Sequence, residues 1–332
     1  MPAANISMQN SVTVLPTAEG ASLKRLAAPD TVAHGRVDWP YAVSFALYHA
    51  LALLAFVPWL FSWTGLTICL LGTYVFGTLG INLCFHRLLT HRSFTCPKWL
   101  EHGLAILGVC CLQDTPARWV AVHRLHHQHS DEPKDPHSPL VTFFWGHMGW
   151  LLTPNFALSR MDLYERYAKD LLRERFYMNL ERRLFWVWIN FALWVVFYTA
   201  GFVIGWATTG ELTGGVQFGL SLLVWGVFVR TVLVWHITWS VNSVTHMWGY
   251  RNYDTDENSR NNVFVGLWSN GEGWHNNHHA QPRAAAHGHK WWEFDVTYLT
   301  IRFLYLVGLA HDIVPVRKTM PGRIVTNNQP IE

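Results

Sequence analysis

The chain has 332 residues, of which 50% are hydrophobic, 15% aromatic and only 14% charged, with a formal net charge of +3. So small a charge argues against a nucleic-acid partner, and so apolar a composition argues against a wholly solvated fold; several membrane spans with a sizeable polar portion fit it. The five cysteines, Cys69, Cys84, Cys96, Cys110 and Cys111, have no zinc-finger spacing and read as free thiols.

In chain order, residues 1–36 are mixed, poor in aromatics and without a basic-then-apolar leader, and they read as a mobile tail. Tyr41–Phe61 and Leu66–Cys84 each approach the roughly 20 apolar residues a bilayer crossing needs, with Ser62-Trp63-Thr64-Gly65 as a very short turn between them. Leu104–Leu112 is apolar but too short to cross. Phe156–Phe176 reads as one amphipathic helix. It sets Leu158, Met161, Tyr164, Leu171 and Leu172 against Arg160, Arg166, Lys169, Arg173 and Arg175, suited either to a headgroup layer or to packing on a solvated cap. Val187–Trp206 and Gln217–Trp239 form a second hairpin joined by Ala207–Val216, and residues 317–332 resemble the first tail. The hairpin turns carry no lysine or arginine, whereas Lys24, Arg25, Arg36 and the stretch between the hairpins are basic. The positive-inside rule therefore places both termini and the middle stretch in the cytoplasm, and all histidine clusters on that side. The nineteen tryptophans suit interfacial belts.

Nine histidines stand in four clusters: His86 and His91; His123, His126 and His127; His246, four residues after Asn242; and His275, His278 and His279. Neutral imidazole suits iron, zinc and copper. On a helix, positions i, i+3 and i+4 share a face, so an i,i+4 pair can chelate one metal while the i+3 histidine reaches a second. His86 and His91 are five apart and do not align on an ideal helix, which predicts a helix end or a local distortion there. Nine ligands exceed what one tetrahedral zinc takes, and two metals sharing them is the economical reading.

The boxes HRLLTH, HRLHH and HNNHH, with flanking Asp135-Pro136-His137, Gly149-Trp150-Leu151, Asn242–His246 and Gly271-Glu272-Gly273-Trp274, resemble the membrane fatty-acid desaturase family over most of the chain, from about Trp39 to Leu309. The nearest likeness is to its Δ9 branch, which includes animal stearoyl-CoA and bacterial acyl-lipid desaturases. The resemblance implies an all-α integral membrane fold, with four membrane helices in two hairpins beneath a cytosolic helical cap that holds a histidine-rich di-iron site. The desaturase domain would occupy residues 37–316. One iron would take His86, His91, His123, His127 and His279; the other would take His126, His246, His275 and His278, with Asn242 reaching it through water. Gln113, Trp119 and Thr238 would shape a kink in the acyl tunnel, Tyr74 would help close it, and Thr78, one helical turn on, would shorten it.

The implied activity is O2-dependent insertion of a cis double bond at about Δ9 of a saturated C16–C18 chain, on two irons cycling between Fe2+ and Fe3+. Such chemistry must come from a metal–oxygen species, because a methylene offers no acidic proton or leaving group. Animal acyl-CoA enzymes carry Arg-Asp and Arg-Lys where this chain has Ala121-Val122 and Thr153-Pro154, so the donors a CoA phosphate needs are missing. That favours a lipid-linked chain, the alternatives being an acyl-CoA Δ9 desaturase or a hydroxylase of the same superfamily. A non-catalytic membrane metal-binding or transport protein would need more ionisable residues in the spans than Arg230 and His236. No fused electron-transfer domain is visible, so a separate ferredoxin, rubredoxin or cytochrome b5-type donor with its reductase is expected. The setting implied is a bacterial cytoplasmic membrane, crossed several times with both termini cytoplasmic.

Overall fold

Four helices are long and apolar enough to cross a membrane: Trp39–Phe56, Trp63–Thr90, Phe185–Thr209 and Leu212–His246. The computed structural model describes residues 25–317 apart from residues 159 and 183, so the tail expectations for residues 1–24 and 318–332 lie outside it. Trp39, Trp63, Trp188 and Trp206 lie at or near span ends with more than half their surface exposed, as interfacial anchors do. The turns differ from the sequence reading: the first span ends at Phe56 and a 3-10 turn at Pro58–Leu60 precedes the second, whereas the second hairpin is tighter than expected. Ser62 caps the second span by accepting from the Gly65 amide, so Trp63-Thr64-Gly65 already belongs to the helix. The third span runs to Thr209 and the fourth restarts at Leu212, leaving Gly210, in the left-handed region at φ +72, and Glu211 as the turn.

The third and fourth spans are held by two glycine pairs. A Cβ on Gly201 would sit 2.8 Å from the Phe218 carbonyl oxygen, and one on Gly205 would sit 2.5 Å from that of Gly214. Gly215 and Gly219 face Phe202 and Tyr198 in return, giving the close backbone approach typical of small-residue repeats in lipid. The second span changes register midway. From Thr73 to Thr90 it is a π-helix, and the His91 amide bonds the His86 carbonyl five residues back at 3.2 Å. The extra residue per turn is the distortion that a five-residue histidine spacing requires.

The remaining helices form a cap at the end of the second and fourth spans. Lys98–Val109, the short apolar stretch, lies against the π-helix, with Gly80 and Gly108 in backbone contact. Pro116–His129 starts at a Thr115 cap followed by proline at its first position. The expected single helix over Phe156–Phe176 is broken into Arg160–Tyr167, Lys169–Leu172 and Arg175–Glu181. Its apolar side is spent inside the cap, where Leu158, Leu163, Ala168 and Leu171 join one core with Leu89, Leu125 and Tyr177. Arg92 and Arg124 anchor its Asp170. The segment is thus built into the cap, with Met161 of its apolar set left 83% exposed. Residues 25–36, assigned to the tail from sequence, cross the cap as a strap: the Leu26 amide bonds Leu140, Ala33 bonds Pro154, and Phe156 bonds Thr31. Among the described residues only isolated β-bridges occur, and all five cysteines are free.

Candidate metal centre and acyl cavity

The π-helix, Pro116–His129, the end of the fourth span and the short helix His275–Ala280 bring all nine histidines together in two groups. His86, His91, His123, His127 and His278 form one, and His126, His246, His275 and His279 form the other; within each, the potential ligand atoms lie within 4.8 Å of one another. Each helix contributes an i,i+4 pair to one group and its i+3 histidine to the other. The Nε2 atoms of His123 and His127 are 3.1 Å apart, as are those of His275 and His279. His278 Nε2 crosses over to lie 3.1 Å from His86 Nε2 and 2.9 Å from His127 Nε2.

Outside the imidazoles stands a ring of carboxylates. Glu272 receives His86 Nδ1 at 2.5 Å, Asp135 receives His126 Nδ1 at 3.0 Å, and Asp131 receives His246 Nδ1 at 2.9 Å. A carboxylate can only accept, so these Nδ1 atoms carry the hydrogens and the inward Nε2 atoms carry lone pairs. Several such nitrogens face one another, while the buried Nε2 atoms of His91 and His246 have no partner. A cation resolves both defects, and the all-nitrogen donor set suits a transition metal. Burial first, and neighbouring imidazoles second, hold His91, His123, His127, His275, His278 and His279 well below the usual histidine range, in the neutral form that ligation needs. Burial opposes the charge of Glu272, yet Arg87 and the adjacent histidines keep its carboxyl well below the ordinary glutamate range.

A cavity is lined by Tyr41, Asp114, Arg118 and Leu151 together with His86, His123 and His275. A second, smaller one continues along Thr73, Gly77 and Thr78 to Trp268 and Asn270, and the two share Asn82, Ile237 and Thr238 in their walls. At the junction Gln113 donates to Thr238 Oγ1 at 3.0 Å, and the Trp119 indole donates to Gln113 at 3.3 Å.

Residues 58–302 match the family model for fatty acid desaturases. The chain belongs to the fatty acid desaturase family. It is 42% identical to a protein of Nostoc sp. (strain 36) named sn-2 palmitoyl-lipid 9-desaturase, over 86% of this chain and 94% of that one. A protein of Anabaena variabilis named sn-1 stearoyl-lipid 9-desaturase is 41% identical over 84% and 94%. One of Anemone leveillei named acyl-CoA C20 Δ5-desaturase is also 41% identical, over 80% and 78%.

The desaturase geometry corrects one expectation. His278 sits in the five-histidine group and His279 in the four-histidine group, the reverse of the assignment implied by resemblance. The reason is helical: His279 lies one turn from His275 and shares its direction, whereas His278 is rotated towards His86. Tyr74 is not among the residues lining either cavity; its hydroxyl bonds Thr300 at 2.8 Å. Thr78 does line the inner cavity, and Asn270 donates to its hydroxyl at 2.8 Å. Gln113, Trp119, Thr238 and Asn242 all line the outer one. Sequence reasoning missed the carboxylate partners, although Asp135 and Glu272 lie in the motifs that flank the boxes. It also missed His287, buried beside His86 and His278 with Nδ1 3.2 Å from Glu272, and His137, stacked on His126 with ring centroids 4.3 Å apart.

Proposed function

We propose that the protein inserts a cis double bond at about Δ9 of a saturated C16–C18 chain esterified in a membrane lipid. The balance is one acyl chain, O2, two electrons and two protons giving the monoene and two waters. The observation that carries the reading is a pair of adjoining cavities, one lined by His86, His123 and His275 and the other by Thr78, Trp268 and Asn270, that share Asn82, Ile237 and Thr238. A chain lying in both, with its methyl end in the second, has one C–C bond held beside the histidines, which is regioselectivity by orientation. Gln113, Trp119 and Thr238 form the bonded set around which the chain turns. The nine imidazoles, with Asn242 beside them, would hold two irons, and irons cycling between Fe2+ and Fe3+ would supply the oxygen-dependent hydrogen removal that side chains, or redox-inert zinc, do not.

The relatives support a lipid as the acyl carrier, since the Nostoc and Anabaena proteins, named for lipid substrates, match at 94% of their length and the Anemone protein, named for a CoA substrate, at 78%. The local structure supports a lipid. Ala121 and Val122 are buried at 0% and 7% exposure in the cap core, so that position offers a nucleotide nothing. At the second position the strap amide of Ala33 takes the Pro154 carbonyl, and Thr153 and Pro154 bring no charge. Electrons come from a separate ferredoxin, rubredoxin or cytochrome b5-type protein with its reductase. The enzyme, taken as residues 37–316 from sequence, also includes the strap of residues 25–36, and it sits in a bacterial cytoplasmic membrane with both termini inside. Expression in a host that makes no unsaturated fatty acids, with double-bond positions determined in each lipid class, tests the proposal. Growth rescue with Δ9 monoenes in glycerolipids is expected; hydroxylated chains, or monoenes at another position, would contradict it.

A further inference from the structure

The carboxylates around the histidines are unevenly shared. In the four-histidine group His126 meets Asp135, His246 meets Asp131, and Glu257 lies 3.6 Å from His279 Nδ1 and 3.9 Å from His246 Nδ1. Among the described residues no lysine or arginine pairs with these three carboxylates. Their other partners are neutral donors, such as the amides of Asp131, His137, Asn258 and Ser259 and the hydroxyls of Ser138 and Ser259, together with His137 Nδ1 at 3.8 Å from Asp135. In the five-histidine group only His86 reaches a carboxylate, that of Glu272. Glu272 is in turn bonded by Arg87 at 2.7 and 3.1 Å, and the same guanidinium pairs with Asp295 at 2.9 Å. Three unneutralised carboxylates thus surround one group, and two carboxylates with a buried guanidinium flank the other.

We infer that the two metal positions fill in order, the four-histidine group taking and keeping a divalent ion before the five-histidine group does. The inference rests on the reading that the nine histidines hold two metals. Imidazoles replace lost water ligands but supply no charge, so a divalent ion buried among them is further stabilised by negative charge nearby. Charge at such short range is weakly screened in a buried site. Carboxylates on Nδ1 also make the opposite nitrogen a stronger donor. The fifth imidazole of the other group adds one neutral donor, whereas the four-histidine group holds two more units of net negative charge. Arg87, by contrast, holds Glu272 in place and cancels much of its charge.

The test uses the full-length protein, freed of metal and reconstituted with lipid. Cobalt(II) chloride is added at one ion per chain, and the ion is located by anomalous scattering from crystals of the loaded protein. About tenfold higher occupancy in the four-histidine group is expected, the order of effect that such outer partners have on affinity. Equal filling, or preference for the five-histidine group, would overturn the inference while leaving the two-metal reading intact. No cobalt at either group would remove the two-metal reading itself. In a chelator competition, Asp131→Asn and Glu257→Gln each release the first ion about tenfold more readily, and Glu272→Gln leaves its release unchanged. Unaltered release in both of the first two variants would equally reject the inference.

Discussion

His278 decides how the two histidine groups interlock. Its Nε2 lies within 3.1 Å of those of His86 and His127, so it belongs with them and not with its neighbour His279. We predict that His278→Ala and His127→Ala deplete the same metal, and His279→Ala and His126→Ala the other; the double variant His127→Ala/His278→Ala then loses no more metal than either single one. Metal analysis of the purified variants checks this, and additive loss within one group would refute it. The helical spacing of the boxes was enough to read this interlock correctly. The ligand assignment carried over by resemblance was not, because it followed chain position where direction on the helix matters. At the far end of the cavity, Thr78→Ala and Asn270→Ala both remove the polar floor and are expected to shift chain-length preference from C16 towards C18. Tyr74→Ala should not, since Tyr74 does not line the cavity. Product profiles from mixed-chain lipid decide between these outcomes.

At the level of elements, the four apolar spans were legible because a bilayer demands continuous hydrophobicity. The π-register was legible only as a five-residue gap that an α-helix could not reconcile. The break in Phe156–Phe176 was not, since its residues keep near-helical spacing while Ala168 leaves helical geometry at φ −130 to turn the chain over the cap core. The contact between the π-helix and Lys98–Val109 sets where His86 and His91 stand. A Cβ on Gly80 would lie 2.3 Å from the Gly108 amide nitrogen, which is backbone and cannot swing away. Gly80→Ala is therefore expected to cost on the order of 1–3 kcal/mol, as overpacking does. It should also weaken metal retention in the five-histidine group more than in the other. Thermal unfolding and metal content are the readouts, and an unchanged unfolding midpoint would show that the two helices separate freely.

For the whole molecule, the sequence placed all four histidine clusters at one end of the spans, and their convergence in space bears out that they share a side. How the cap closes over them was hidden, because its loops pair through isolated bridges and single hydrogen bonds that leave no periodic pattern. Asp131 reaches His246 and Glu272 reaches His86 across more than a hundred residues. The cap also carries an acid liability. Burial, followed by adjacent charges, holds His287 down to about 4 and His137 down to about 3, against about 6.5 in an unfolded chain. Because the folded values are depressed, the folded protein binds fewer protons than the unfolded one at intermediate pH. The stability these two groups contribute is complete above about 6.5 and is lost as pH falls towards the folded values. His246 acts in the opposite sense above that range, since, against burial, Asp131 raises it to about 9. The metal-free protein should therefore show an unfolding temperature that falls steadily from pH 6 to 4; an unchanged midpoint over that range would contradict the neutral state of His137 and His287.

The most direct test of the central claim is product formation by the purified enzyme in lipid bilayers, with a working reductant and O2. Phospholipid carrying deuterated palmitoyl or stearoyl chains is supplied in one reaction and stearoyl-CoA in another. A cis double bond at about Δ9 in the esterified chains, dependent on O2 and abolished in His278→Ala, is expected. Turnover of the CoA ester alone, or a hydroxylated product from either substrate, would contradict it.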